Sequence, residues 1–273
     1  MEDQHGASNA DAERPSAARV YDYLLGGHHN FAADRELARQ LQQAAPELRR
    51  IIWATRAFSH RAVRFLTGVG VRQFIDLGAG LPTAGSVHEV ARRHAPGTRV
   101  VYVENDPVAV AHGEQVLAGD PAAAVIAADL RDYGTVLSHP RARALIDPRE
   151  PVGVLLVGVL HELPADEPAR AIAGYRREMA AGSFLALSQA TWAGTPEDAE
   201  IKEAFDKGFA PSIEMAFRTR AEVSALFEGF DLVDPGVVHI AQWHPDPAPP
   251  EEPTMRPPVY AGVGRLPARP LGS

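Results

Sequence analysis

Cysteine is absent, which excludes disulfides, thiolate metal sites and a cysteine nucleophile. Long apolar runs are missing too: the longest, Val152 to Leu160, is roughly half the ~20 residues that a membrane helix needs, and it reads as a buried strand. The opening stretch MEDQHGASNADAERP has neither a basic start nor an apolar segment before a cleavage site, so nothing marks the chain for secretion and a cytoplasmic location is expected. Positive charge is scarce. Acidic residues outnumber basic ones 35 to 27, a formal net charge of −8, which removes any global attraction for a phosphate backbone, and no nucleic-acid partner is expected. Neither a G-x-S-x-G elbow nor a Walker-type loop occurs, so hydrolase and nucleotidase readings lack support. What remains, with 45% hydrophobic and 23% charged residues, is the composition of an ordinary globular protein.

The first fourteen residues are small and polar and are expected to be disordered. From Pro15 a helix should carry Ala17, Val20, Leu24 and Leu25 until Gly26-Gly27 stops it. Asn30 is expected to cap a second helix through Leu37 and Leu41. A third is the clearest, because Leu48, Ile51, Ile52, Thr55, Phe58, Ala62, Phe65 and Leu66 recur at helical spacing before Gly68 and Gly70. After Gly70 short β-branched runs alternate with helical patterns, as in a parallel sheet with crossover helices. Strands are expected near Gln73–Leu77, Arg99–Glu104, Ala124–Ala127, Val152–Val159, Phe184–Gln189, Asp231–Val233 and Val259–Val263, with a late helix near Arg220–Phe227. A proline-rich connection, Pro245 to Pro258, reads as a surface loop.

The sharpest chemical signal is Ile75-Asp76-Leu77-Gly78-Ala79-Gly80, an apolar strand running into an acid and two glycines. Glycines there let bare backbone approach a ligand. A dinucleotide fingerprint would place a third glycine where this chain has Thr83 after Pro82, which points away from a pyrophosphate. Asp76, two residues before the first glycine, also argues against an anion and suits a cationic amino-acid ligand or ordered water; the plainer reading is a capped strand-to-helix turn. The second strand ends in Glu104, whose carboxylate can accept ribose hydroxyls. Asp106, followed by Pro107, looks instead like a helix N-cap. The third strand ends at Asp129, which can accept an adenine amine or merely start a helix; Asp132 is available for the latter task. The fourth leads into His161-Glu162 at the carboxyl edge, where His161, with an unperturbed pKa of about 6.5, is either a general base or a wall residue. No metal site is expected, since neither His161-Glu162 nor His28-His29 has ligand spacing.

The succession IDLGAG, VYVEND, AADL, VGVLHEL and AAGSFLALS resembles the ordered motifs of class I S-adenosylmethionine-dependent methyltransferases. Ala18 to Gly27, Asn30 to Arg35, Phe217 to Arg220 and Leu232 to Val238 further resemble an actinobacterial family of such enzymes formerly listed as a domain of unknown function. The resemblance implies an α/β fold with a Rossmann-like, seven-stranded, mostly parallel sheet whose last strand is antiparallel, helices on both faces, and an N-terminal helical cover over the cofactor. Residues 15–70 would form the cover and 71–273 the cofactor-binding domain, as one compact unit. The implied cofactor is S-adenosyl-L-methionine. Its binding set on this chain would be Asp76, Gly78, Ala79, Gly80, Glu104, Asn105, Asp129 and Leu130, joined by Tyr21, Tyr23, Gly26 and Gly27 of the cover. Ring faces of Tyr21 and Tyr23 suit a sulfonium, although for either tyrosine taken alone plain helix packing against the sheet is the favoured reading. His28-His29 stand where the family pattern leads one to expect Lys-Asp, so any contacts made there differ.

The leading reading is methyl transfer to a small-molecule acceptor, with His161 and then Glu162 as candidate bases if the acceptor must lose a proton. Trp192 to Phe217, with Trp192, Phe205, Phe209, Met215 and Phe217, is the expected acceptor wall; helix core is the competing reading. A cofactor-binding regulatory protein without turnover is the second reading. A nicotinamide oxidoreductase is the third, opposed by Thr83.

Overall fold

A computed structural model describes residues 13–82, 85–164, 166–191, 196–209, 215–246 and 258–268. The proline-rich connection falls almost wholly outside these, as do Thr83 and Trp192 and the side chain of Phe209. From Ala17 the described residues form three helices in succession, α1 (Ala17–Leu24), α2 (Ala32–Ala44) and α3 (Leu48–Gly68). The expected Asn30 cap is not made. Asp34 takes that task from inside α2, accepting the Phe31 N–H at 2.7 Å, while the Asn30 amide turns back to the Asp22 carboxylate and the Gly27 carbonyl.

Then come β1 (Gln73–Leu77), α4 (Val87–His94), β2 (Arg99–Glu104), α5 (Pro107–Val116), β3 (Ala123–Ala127), α6 (Tyr133–Ser138), α7 (Pro140–Leu145) and β4 (Gly153–Leu156). A 3₁₀ turn, Leu160–Glu162, leads to α8 (Glu167–Glu178), β5 (Phe184–Ala190), α9 (Pro196–Phe209) and α10 (Arg220–Ala225). The chain ends in β6 (Asp231–Leu232), β7 (Val238–His239) and β8 (Val259–Arg265). No helix among the described residues is long and apolar enough to cross a membrane.

The strands lie in the order β3-β2-β1-β4-β5-β8-β6, parallel from β3 through β5, with β8 antiparallel to β5. Eight strands are present among the described residues where seven were expected. The path is the seven-strand one; the addition is two-residue β7, which pairs with Tyr260 and Ala261 of β8 while β6 pairs with Gly264 and Arg265. One edge position is thus shared by two short segments. Strand β4 also stops at Leu156, short of the expected Val159. Gly158 has φ +78° and gives its N–H to Ser188 Oγ at 2.9 Å, so the chain leaves the ladder there.

The period of two along each strand divides the core. Ile75, Leu77, Val101, Val103, Val154 and Leu156 face one way, onto α6, α7 and α8. Phe74, Val100, Tyr102 and Leu155 face the other, where Phe58, Ala62, Val63 and Leu66 of α3 cover them. A third apolar cluster joins Val20 and Leu24 of α1, Leu37, Ala38 and Leu41 of α2, and Phe205 of α9. Helix α1 is tied to the sheet edge by Arg19, which is buried. Its guanidinium contacts Asp34 at 2.9 Å and Asp106 at 2.7 Å and lies over the Phe31 ring.

Gly27 shows how closely the turn after α1 is built. An added Cβ would lie 1.9 Å from Asp22 Oδ1, whose carboxylate binds the His29 N–H and the Asn30 amide. Replacing Gly27 by alanine should cost about 2 kcal/mol through this overlap, seen as a thermal midpoint lower by roughly 4–8 °C.

Candidate functional site

In an open parallel sheet the ligand crevice lies beyond the carboxyl ends of the strands, where the order reverses. Here the reversal falls between β1 and β4, and a cleft of about 820 Å³ opens there. Its floor is the turn after β1. Gly78 and Gly80 have φ of +69° and +63°, the left-handed region that favours glycine. A Cβ on Gly78 would come within 2.5 Å of the Val159 side chain, so backbone freedom and lack of bulk are both required. The Gly78 and Ala79 N–H groups donate to the Val103 carbonyl, which fixes the turn to β2.

Glu104 ends β2 beside this turn. One carboxylate oxygen accepts the Asn105 and Asp106 N–H groups at 2.8 and 2.9 Å, and the other accepts the Gly80 N–H at 2.7 Å. Burial pushes its pKa up, and the three donors oppose that shift. A carboxylate has about four acceptor sites, so Glu104 as it stands has room for one hydroxyl donor, and for two once the Gly80 N–H is released. Asp106 caps α5 by accepting the Val108 and Ala109 N–H groups, as read from the sequence. Asp132 likewise caps α6. Asp129 and Leu130 line the cleft, but the Asp129 carboxylate is gripped by Arg131 at 2.9 Å, and Arg131 in turn reaches Glu167. These hydrogen bonds lower the Asp129 pKa.

Asp76 points to the α3 side of the sheet and into the cleft. Burial raises its pKa to about 7, with Glu104 adding to the shift and Arg56 opposing it. Arg56 and its neighbour Ser59 were not singled out from the sequence. Their signal was a helical stripe: Leu48, Ile51, Ile52, Thr55, Arg56 and Ser59 follow one face of α3, and all line the cleft.

The other wall is the 3₁₀ turn carrying His161 and Glu162. Arg218 holds it, donating to the carbonyls of Leu160 (2.9 Å), Leu163 (3.0 Å) and Pro164 (3.2 Å) and to Gln189 Oε1 (2.7 Å). The His161 carbonyl receives the Ala216 N–H at 2.8 Å. Burial, helped by the Arg218 charge, lowers the His161 pKa to about 4; burial, helped by Glu104, raises that of Glu162 to about 8. At neutral pH both side chains are therefore mainly uncharged. An Arg218→Met variant removes four donated bonds from buried or half-buried acceptors, and its stability should fall by about 3 kcal/mol, measurable by denaturant titration.

Beyond Glu162 the cleft becomes apolar, walled by Val20, Leu24, Leu41, Leu48, Ile52, Phe205 and Met215. Phe205 also meets the His161 ring edge-on, at 5.7 Å between centroids. Of the expected acceptor wall, Phe205 and Met215 thus face the cleft, whereas Phe217 does not line it. Tyr21 does line it; its hydroxyl sits 3.5 Å from the Ile52 carbonyl and its pKa is pushed up to about 12 by burial. Tyr23 packs with the helical cluster instead, and Gly26 and Gly27 shape the turn after α1, outside the cleft wall. Asn105 lies in the wall next to Glu104. The His29 ring lies against that of His112, 3.6 Å between centroids and tilted by 34°, and neither residue lines the cleft.

The family model described as S-adenosyl methyltransferase matches residues 3–267. The crystal structure of a Thermobifida fusca protein named provisionally as a methyltransferase is 40% identical, with a TM-score of 0.88 over 94% of this chain and 96% of that one. A DUF574 family protein from Streptomyces avermitilis is 33% identical, with a TM-score of 0.86 over 94% and 99% of the two chains. No curated protein matches the chain.

Proposed function

This chain belongs to the S-adenosyl methyltransferase family, and on that premise we propose that it transfers a methyl group from S-adenosyl-L-methionine to a small, largely apolar acceptor. The observation that carries the proposal is the continuity of one cleft, from the bare glycine turn and the Glu104 and Asp129 carboxylates to a chamber lined by aliphatic and aromatic side chains. Its volume lies in the range of small-molecule sites.

The residues at hand fit the cofactor. Gly78 and Gly80 leave the floor open where any side chain would intrude or strain. Glu104 retains acceptor capacity for a ribose hydroxyl, and Asp76 offers a carboxylate to an ammonium. Leu130 and Asn105 wall the nucleoside end. When bound, the cofactor supplies a methyl group already activated by its sulfonium. The chain's own part is then to align the acceptor and exclude water. Helices α1 and α2, within residues 15–70, act as the cover, and the tie from Arg19 to Asp106 holds that cover against the β2 end. Glu162 or His161 takes a proton from the acceptor where one must leave.

Incubation with methyl-labelled S-adenosylmethionine and a library of apolar phenols, enols, carboxylic acids and amines tests the proposal. Label should move to members that fit the chamber, with S-adenosylhomocysteine released in equal amount. Tight cofactor binding without transfer to any compound shown to occupy the chamber would contradict it.

A further inference from the structure

Charge is unevenly placed along the cleft wall. Arg56, Asp76 and Glu104 stand together at the glycine turn, Asp106 is tied to Arg19, and Asp129 and Arg131 hold one another. Past these, His161 and Glu162 of the 3₁₀ turn are the last acid and base. Among the described residues the chamber beyond them, built from α1, the end of α2, the start of α3, α9 and Met215, carries neither. Tyr21 adds a hydroxyl that burial keeps protonated, 3.5 Å from the Ile52 carbonyl. The side chains of His161 and Glu162 have no hydrogen-bond partner among the described residues, and the Phe205 ring meets the imidazole edge-on. Burial keeps both uncharged at neutral pH. A neutral imidazole has one donor and one acceptor nitrogen, and a protonated carboxyl also both donates and accepts.

Two such groups at the entrance to a chamber without a counter-ion sort acceptors by charge. A carboxylate would enter with no cation to pair with, and the Glu104 charge that helps to raise the Glu162 pKa would repel it. An ammonium can pair with an ionised Glu162, but it brings three N–H donors to a wall that is mostly hydrocarbon and has no lone pair to give until a proton has left. A hydroxyl donates and accepts at once and needs no counter-charge. We infer that the acceptor of this chain is an uncharged hydroxyl compound, a phenol or enol on an apolar body, methylated on oxygen. This rests on the transfer reading above and narrows it. The oxygen's lone pair forms the O–CH3 bond while the C–S bond breaks and leaves its electron pair on sulfur. The hydroxyl proton passes to the ionised fraction of Glu162 and from there to water, while the His161 N–H holds the oxygen. A phenol, whose proton leaves near pH ~10, suits such a base better than an alkanol does.

The test uses phenyl, naphthyl and biphenyl frames, each bearing a hydroxyl, a carboxyl or an aminomethyl group. Each compound is titrated at neutral pH into protein saturated with S-adenosylhomocysteine, and the set is then incubated with methyl-labelled S-adenosylmethionine. On a frame that fits, the hydroxyl member should bind about 10- to 100-fold more tightly than its charged counterparts and alone yield a labelled product, a methyl ether. Leu48→Arg, which sets a guanidinium in the partly buried chamber wall, should narrow the gap between hydroxyl and carboxyl members by about 10-fold. Retained S-adenosylhomocysteine binding shows that this variant has folded. Equal or tighter binding of the acids or amines, label on nitrogen, carboxyl or ring carbon, or a gap that Leu48→Arg leaves unchanged overturns the inference while methyl transfer to an apolar acceptor stands. No binding by any frame overturns it together with the acceptor reading, and failure of S-adenosylhomocysteine to bind wild type overturns the cofactor reading as well.

Discussion

Replacing Glu104 by alanine is expected to lower affinity for S-adenosylhomocysteine by at least about 10-fold, and by about 100-fold if two hydroxyls are held. Hydrogen bonds to a charged acceptor contribute roughly 1.5–3 kcal/mol each, and Glu104 has one acceptor site open, with another occupied by the Gly80 N–H. The variant also deprives three backbone donors of their partner, so part of the loss comes from a looser turn. Glu104→Gln separates the two contributions. It keeps a carbonyl oxygen for the Asn105 and Asp106 N–H groups but sets its amide against Gly80, so affinity should drop while the thermal midpoint stays closer to wild type. Unchanged affinity in both variants would remove Glu104 from the cofactor site.

Glu162→Gln should reduce kcat by about 10²- to 10⁴-fold for an acceptor that must lose a proton. A base works best when its pKa lies near the working pH, and Glu162, raised to about 8, meets that condition better than His161, lowered to about 4. His161→Gln should therefore cost less. The pH profile carries the sign: Glu162 acts as base only when deprotonated, so kcat/KM should rise with pH and level off above about pH 8. The same shift has a consequence for stability. The folded state holds this proton more tightly than the unfolded chain, so the stability contributed is full below the ordinary glutamate value of 4.5 and is lost as pH rises through about 8. Glu162→Gln should flatten that decline. A flat rate profile, or larger losses from His161→Gln than from Glu162→Gln, would return the role to His161.

The choice between these two candidate bases marks the limit of what the sequence alone tells. Two adjacent ionisable residues at a strand end were legible, but their pKa shifts arise from Arg218, Glu104 and burial, which only the folded chain assembles. The glycine turn and the acids at the tips of β1, β2 and β3 could be read because each signal is local, an apolar run ending in a fixed residue type. Arg56 could not. Its stripe on α3 looks like any amphipathic helix, and its place beside Asp76 depends on how that helix crosses the sheet. The same division runs through the fold. Strands β1 and β2 were read to the residue, whereas β4 was drawn too long because the break at Gly158 is made by a left-handed backbone and a bond to Ser188 on β5. The edge segment β6 was read near Asp231–Val233, whereas β7, with two residues, is too short for alternation to register.

The central claim is that the cleft beyond the carboxyl ends of β1 to β4 binds S-adenosylmethionine. Calorimetric titration of the purified protein with S-adenosylmethionine, S-adenosylhomocysteine and NAD, repeated on Asp76→Ala, tests it most directly. The account predicts saturable binding of the first two ligands, weakened in the variant, and none of the third. No binding by wild type, or binding of NAD alone, would contradict it.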